Sequence, residues 1–408
     1  MKHFYFFICI FFIPQLQAQQ PVIKPNDTLT ESPFKSGFYP VSFFDVNLRT
    51  LIKYNNYEGF RLGFGGITND KLFKNIKVGG YVAYGFKDRQ YKYKIGGGIR
   101  LHKKQKLWIN SYYINDIKEV GSHPFLTDKL VYSVFEPRLI NITQFYKHQT
   151  WQINFQNNLI PSVLSELLFT HQNIQNILNY TFILNQRNYT TYKLSEITLS
   201  TQFNLFKNHQ ENKSVNFPII SAQITQGIKN VFNSDFNYTK LGLKLNYILV
   251  NKNKLQTSFL VEGNWAKGDI PLTHLFHSYP NSPTKDKILQ RFSVAGTNSF
   301  ETMYFGEFFS DKLATAQIKH TLYNFKAKNH TPASLLLVTR HAIGTLLNPQ
   351  KHIGINFNTL DHLYSESGIE INNLFMGFGL SFNYRYGFYY LPDFEDNISI
   401  KFTFNLKI

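Results

Sequence analysis

The chain is nearly free of cysteine and poor in methionine: of 408 residues one is cysteine and three are methionine. Cys9 falls within the first eighteen residues, so a mature chain starting at Gln19 has no thiol. Disulfides and thiolate metal sites are thereby excluded. Past residue 18 no apolar run approaches the roughly 20 residues a membrane-spanning helix needs. Long tracts of like charge are missing too. The formal net charge is +17, but the lysines are scattered through turn-like stretches such as Lys103-Lys104, Lys252 with Lys254, and Lys326 with Lys328. Nucleic acid is therefore not an expected partner, whereas lipopolysaccharide phosphates and anionic lipid are. Neither a Gly-x-Ser-x-Gly elbow nor a His-Glu-x-x-His pair occurs. Gly65-Gly66 and Gly96-Gly97-Gly98 sit in strand-like patterns with no helix to follow, so they predict close strand packing or curvature rather than a phosphate cradle. No cofactor is expected, and no enzyme activity.

What the sequence does contain begins with an export signal. Lys2 and His3 precede an apolar run from Phe4 to Ile13, and Leu16-Gln17-Ala18 suits cleavage after Ala18. An exported chain of this length without disulfides has to rely on a large core or on a sheet that closes its own hydrogen bonds. Forty phenylalanines and 25 tyrosines favour strands.

Period-two alternation supports the sheet. Trp151, Ile153, Phe155 and Leu159 interleave with Gln152, Asn154, Gln156 and Asn158; Phe60, Leu62 and Phe64 oppose Arg61 and three glycines. The same holds for Tyr91, Tyr93, Ile95 and Ile99 against Lys92, Lys94 and Arg100, and for Leu241, Leu243, Leu245 and Tyr247 against Gly242, Lys244 and Asn246. Phe378, Leu380, Phe382, Tyr384 and Tyr386 alternate with Ser381, Asn383 and Arg385, and Ile398 to Ile408 alternates to the last residue. The faces opposite the apolar ones are rich in Lys, Arg, Asn and Gln, which suits a hydrated interior with lipid outside. The predicted fold is all-β: a transmembrane antiparallel β-barrel of roughly 14 to 16 strands. Residues 1–18 form the signal peptide, 19–54 a periplasmic segment leading into the barrel, and 55–408 the barrel, in the outer membrane of a Gram-negative cell. Ser122 to Ile142 and Asp269 to Lys287 lack alternation and read as outer loops or partly inserted segments.

Beyond periodicity, the wording from Asn55 to Asn69, Gly79 to Asp88, Phe300 to Met303, Glu307 to Asp311, Glu366 to Leu374, Tyr384 to Gly387 and Asn397 to Lys401 resembles an uncharacterised outer-membrane β-barrel family. That family commonly follows a carboxypeptidase-regulatory-like domain, which this chain lacks. The barrel is also distantly similar to the outer-membrane insertase and two-partner-secretion superfamily, without its Arg-Gly-Phe/Tyr loop motif. The resemblance implies a closing C-terminal strand read by the barrel-insertion machinery. It implies nothing about a solute.

Glu58, Arg61, Arg100, Glu370 and Arg385 fall where alternation predicts the lumen, either as bracing ion pairs or as a filter for a solute path. Glu301, Glu307 and Asp311 share one parity and would form a carboxylate face if they lay on one strand, with divalent-cation binding as the sharper alternative. No metal site is expected. Asp361-His362 with Ser365, or His341 with Ser334, are the residues from which a nucleophilic pair might be built. The functional expectation is a passage or a surface-binding scaffold, with a purely structural role or lipid acyl hydrolysis as alternatives.

Overall fold

A computed structural model describes residues 37–102, 107–128, 137–160, 162–204, 218–251, 255–284, 293–325, 333–375 and 377–404. The expected export signal, Cys9 and the last four residues, 405–408, lie outside the described residues.

Three short strands, β1 (Phe38–Val41), β2 (Phe44–Asn47) and β3 (Ile52–Asn55), open the described chain. Long strands follow: β4 (Gly59–Thr68), β5 (Ile76–Gly85), β6 (Gln90–His102), β7 (Leu107–Glu119), β8 (Phe145–Ile160) and β9 (Val163–Asn176). A small hairpin, β10 (Thr181–Leu184) and β11 (Arg187–Tyr189), precedes β12 (Thr191–Asn204), β13 (Ile219–Gly227), β14 (Tyr238–Val250) and β15 (Gln256–Gly268). The long connection that follows holds β16 (Pro280–Ser282), β17 (Ser293–Val294) and β18 (Phe300–Tyr304). Then come β19 (Lys312–Phe325), β20 (Ala333–Thr345), β21 (His352–Ile353), β22 (Tyr364–Phe375), β23 (Phe378–Gly387) and β24 (Ile398–Phe404).

Nineteen of these strands belong to one sheet. From β4 onward each long strand pairs antiparallel with the next long strand in the chain, as far as β24. The count exceeds the expected 14 to 16 because short pieces contribute. β2 and β3 lie end to end along β4, with Phe44 opposite Thr68 and Ile52 opposite Leu62. β17 pairs in parallel with β24, Ser293 opposite Lys401. The sheet also starts at Phe38, within the segment expected only to lead into it. Among the described residues no ladder joins the first strands to β24. Interior segments link the two ends instead: Asn56 Nδ2 donates to Ile140 O (2.8 Å), Asn141 Nδ2 to Val294 O (2.8 Å), and the Ala295 N–H to Phe402 O (2.8 Å).

The sheet is polar inside and apolar outside. Phe64 is 61% exposed, Leu243 62% and Ile400 62%, while Arg340 and Asn383 are at 0% and Lys401 at 3%. In water so large an apolar surface would be unfavourable; against hydrocarbon it is the expected arrangement. Most connections at one end are short, such as 161–162 and 376–377, with the 14 residues 205–218 as an exception, and those at the other end include the long 120–144, 177–190, 269–311 and 346–363. The apolar core consists largely of residues of these long connections and of the strand ends beside them, among them Phe182, Phe236, Leu272, Phe308, Leu360 and Tyr364.

The two stretches without alternation are inserted rather than exposed. Residues 270–278 are all buried, as are Phe300 to Met303 and Phe308 to Ser310. The segment after β7 lies against β12 to β15: Thr127 Oγ1 is 3.1 Å from Ser200 Oγ, the Leu126 N–H donates to Gln223 Oε1 (2.9 Å), and Lys244 pairs with Asp128. The glycines of β4 to β6 are in paired strands as expected, and a side chain at Gly65, Gly80 or Gly97 would strike a neighbouring backbone.

Candidate functional site: inward-facing ion-pair clusters

The inward charges are gathered into separate clusters. At the β3–β4 turn, Asn55 Oδ1 accepts from the N–H groups of Tyr57 (3.0 Å) and Glu58 (2.8 Å), a turn held by its own side chain. That turn buries Glu58, which accepts from Asn55 Nδ2 at 2.6 Å and pairs with Lys92 Nζ at 2.8 Å. Arg61 forks onto Asp116, with Nη1–Oδ1 at 2.7 Å and Nη2–Oδ2 at 2.8 Å, and Tyr81 donates to the same carboxylate. The planar guanidinium matches the two carboxylate oxygens, which fixes both side chains.

The second cluster joins the wall to the inserted segment. Arg340 lies opposite Glu366 in the β20–β22 register and bonds Glu366 Oε1 (3.1 Å), Glu370 Oε1 (3.1 Å) and Asn383 Oδ1 (2.8 Å). Lys319 Nζ adds a bond to Glu370 at 3.2 Å. Glu366 then reaches inward, its Oε1 accepting the N–H of Glu301 (2.7 Å) and its Oε2 that of Thr302 (2.9 Å). Glu301 pairs with Lys401 of β24 at 2.9 Å and takes Asn281 Nδ2 at 2.8 Å. Arg385 of β23 forks onto Glu307, at 3.1 and 2.6 Å, with its guanidinium 4.8 Å from the Tyr364 ring centre.

The residues singled out in the sequence thus separate. Glu58 and Arg61 share one cluster; Glu301, Glu370, Glu307 and Arg385 meet in the other. Arg100 stands apart from both, bound to the exposed Asp70 at 2.9 Å. Glu301, Glu307 and Asp311 do not share a strand face, because β18 ends at Tyr304 and the chain turns before Glu307. Asp311 instead accepts the Leu347 N–H at 2.9 Å, where the connection after β20 begins. Among the described residues no group of three or more His, Cys, Asp or Glu is placed to hold a metal. Sequence reading passed over Asp116, Lys319, Arg340, Glu366 and Lys401, although each is a charged residue inside an otherwise strand-like stretch.

His341 meets Ser365 rather than Ser334, Nδ1 to Oγ at 2.9 Å. Similar pairs join His171 to Ser195 (3.0 Å) and His320 to Thr257 (2.8 Å). All three pairs are opposite each other in adjacent strands. The repetition marks cross-strand side-chain pairing.

No family model matches the chain, and no curated relative does. Among solved structures, BamA from Haemophilus ducreyi lacking POTRA domains 1–3 superposes with a TM-score of 0.52 at 10% identity, over 86% of this chain and 68% of that one. CdiB from Acinetobacter baumannii gives a TM-score of 0.45 at 12% identity over 86% and 57% of the two chains. CdiB from Escherichia coli gives 0.45 at 8% identity over 85% and 59%. This chain therefore spans less than two thirds of either CdiB. The class that fold and site define is an all-β protein with one large antiparallel sheet resembling the BamA barrel. The likeness is distant and structural, and it assigns no family.

Proposed function

We propose that the protein is an integral β-barrel of a Gram-negative outer membrane, belonging to the uncharacterised barrel family that its wording resembles, and that it works as a plugged surface-binding scaffold. Its apolar face meets lipid, its short connections face the periplasm, and its long connections face outward. One observation carries the scaffold reading: Glu366, on the wall, holds two consecutive backbone N–H groups of the inserted segment. A backbone held in this way inside the sheet obstructs a solute path. The surplus of basic residues suits contact with lipopolysaccharide phosphates and anionic lipid, and the barrel-insertion machinery is the partner during assembly. The role is binding, without catalysis.

A gated passage is the second reading, favoured by Arg385–Glu307 and Lys401–Glu301, polar contacts that a moving segment can break and remake. Single-channel conductance of the refolded chain from Gln19, first shown to migrate in a heat-modifiable way, tests both. The scaffold predicts an electrically silent bilayer. Steady openings whose ion selectivity changes in Arg385→Ala would replace it with the passage.

A further inference from the structure

A cavity of about 140 Å³ lies inside the barrel towards the long-connection end, between β7, β9, β12, β13 and β14 and the inserted segments. Its lining includes Lys118, Lys240, Glu196, His274, Gln172 and Thr225. Glu196 is its one carboxylate, and that carboxylate is occupied: Gln172 Nε2 donates to it at 2.9 Å and Tyr238 Oη at 2.8 Å. The two lysines are not matched in this way. Among the described residues neither ammonium makes an ion pair or a hydrogen bond, and Lys240 Nζ lies 5.1 Å from the Phe276 ring centre. His274, 5% exposed, has Nδ1 engaged with Thr273 Oγ1 at 2.8 Å, while its Nε2, without a hydrogen-bond partner, faces Glu196 Oε2 at 4.0 Å.

Two ammoniums around one satisfied carboxylate leave the cavity with an excess of positive charge and of donors. Lys240 is half-buried and Lys118 exposed, and a partly buried charge is best offset by counter-charge or hydrogen bonds. The rest of the lining cannot supply it, since Gln172, Thr225 and Thr198 bring no negative charge. Tetrahedral or planar oxyanions present several acceptor oxygens to such converging donors, and the volume admits one of phosphate size.

We infer that this cavity is a binding site for a small oxyanion, held by Lys118 and Lys240. The inference goes beyond the scaffold reading and does not depend on it. Equilibrium dialysis of the refolded full mature chain against labelled inorganic phosphate, at constant ionic strength set with chloride, tests it. Saturable binding is expected, weakened roughly tenfold or more in Lys118→Gln and in Lys240→Gln, largely kept in Lys240→Arg, and unchanged in the surface variant Lys71→Gln. Heat-modifiable migration verifies that each variant is folded. Absence of saturable binding by the unsubstituted protein overturns the inference, and so does binding that both glutamine variants retain in full.

Discussion

Arg340 and Glu366 face each other across two neighbouring strands, 3.1 Å apart and both at 0% exposure, and the outer carboxylate oxygens of that pair are what the inserted segment hangs from. The pair therefore serves two structures at once, the wall and the plug. Glu366→Ala leaves Arg340 enclosed with less counter-charge and frees two backbone donors. A loss of about 3 to 5 kcal/mol is expected, read from urea unfolding in detergent, together with new protease cleavage between residues 295 and 305.

Two of the three arginines singled out by sequence, Arg61 and Arg100, make a contrast. Asp116→Ala leaves an enclosed Arg61 with the longer 3.5 Å contact to Glu58 and removes the Tyr81 bond, so it too should destabilise, by about 3 kcal/mol. Asp70→Ala breaks the Arg100 pair, whose carboxylate side chain is 58% exposed, and should change stability by less than about 1 kcal/mol. Equal effects in the two variants would contradict the assignment of Arg61 to an enclosed cluster.

Glycine content in β4 to β6 reflects close backbone approach. A Cβ at Gly80 would overlap the Lys94 carbonyl oxygen, whereas one at Gly263 meets nothing within 4 Å. Gly80→Ala should lower stability by about 1 to 3 kcal/mol, and Gly263→Ala should be neutral or slightly stabilising. The midpoint of heat-modifiable migration separates them.

Among the long connections, β10 pairs with β21 through Phe182 and His352. Tyr180 Oη is hydrogen-bonded to His352 Nδ1 (2.8 Å) and accepts the Leu272 N–H (2.8 Å), so it links this small sheet to the inserted segment. Burial, and then the neighbouring Lys351, push His352 from 6.5 down to about 4. The unfolded chain then binds the proton more readily than the folded one, so this contribution is complete above pH 6.5 and is lost as pH falls towards 4. Amide exchange at Phe182 and Ile353 should quicken across that window, and His352→Phe should abolish the pH dependence.

The faces of the strands were legible because alternation is local: Phe60, Leu62 and Phe64 point outward and Arg61 inward with no knowledge of their neighbours. Partners were not legible. Arg385 finds Glu307 from 78 positions away, and Arg61 finds Asp116 from 55. Those pairings depend on strand register and on the path of inserted chain, and neither leaves a periodic trace. Parity misled for Glu301, Glu307 and Asp311 because the chain turns between the first two. The inserted stretches were visible only as a loss of alternation, which is what a segment surrounded on all sides produces.

Lys401 is carried by the last strand of the described chain and grips Asn281 and Glu301, which are synthesised more than 90 residues earlier. β24 is therefore fully satisfied only where that earlier stretch lies against it. A chain whose 269–311 stretch is misplaced leaves β24 with an unmatched buried lysine, so the last described strand registers what fills the space beside it.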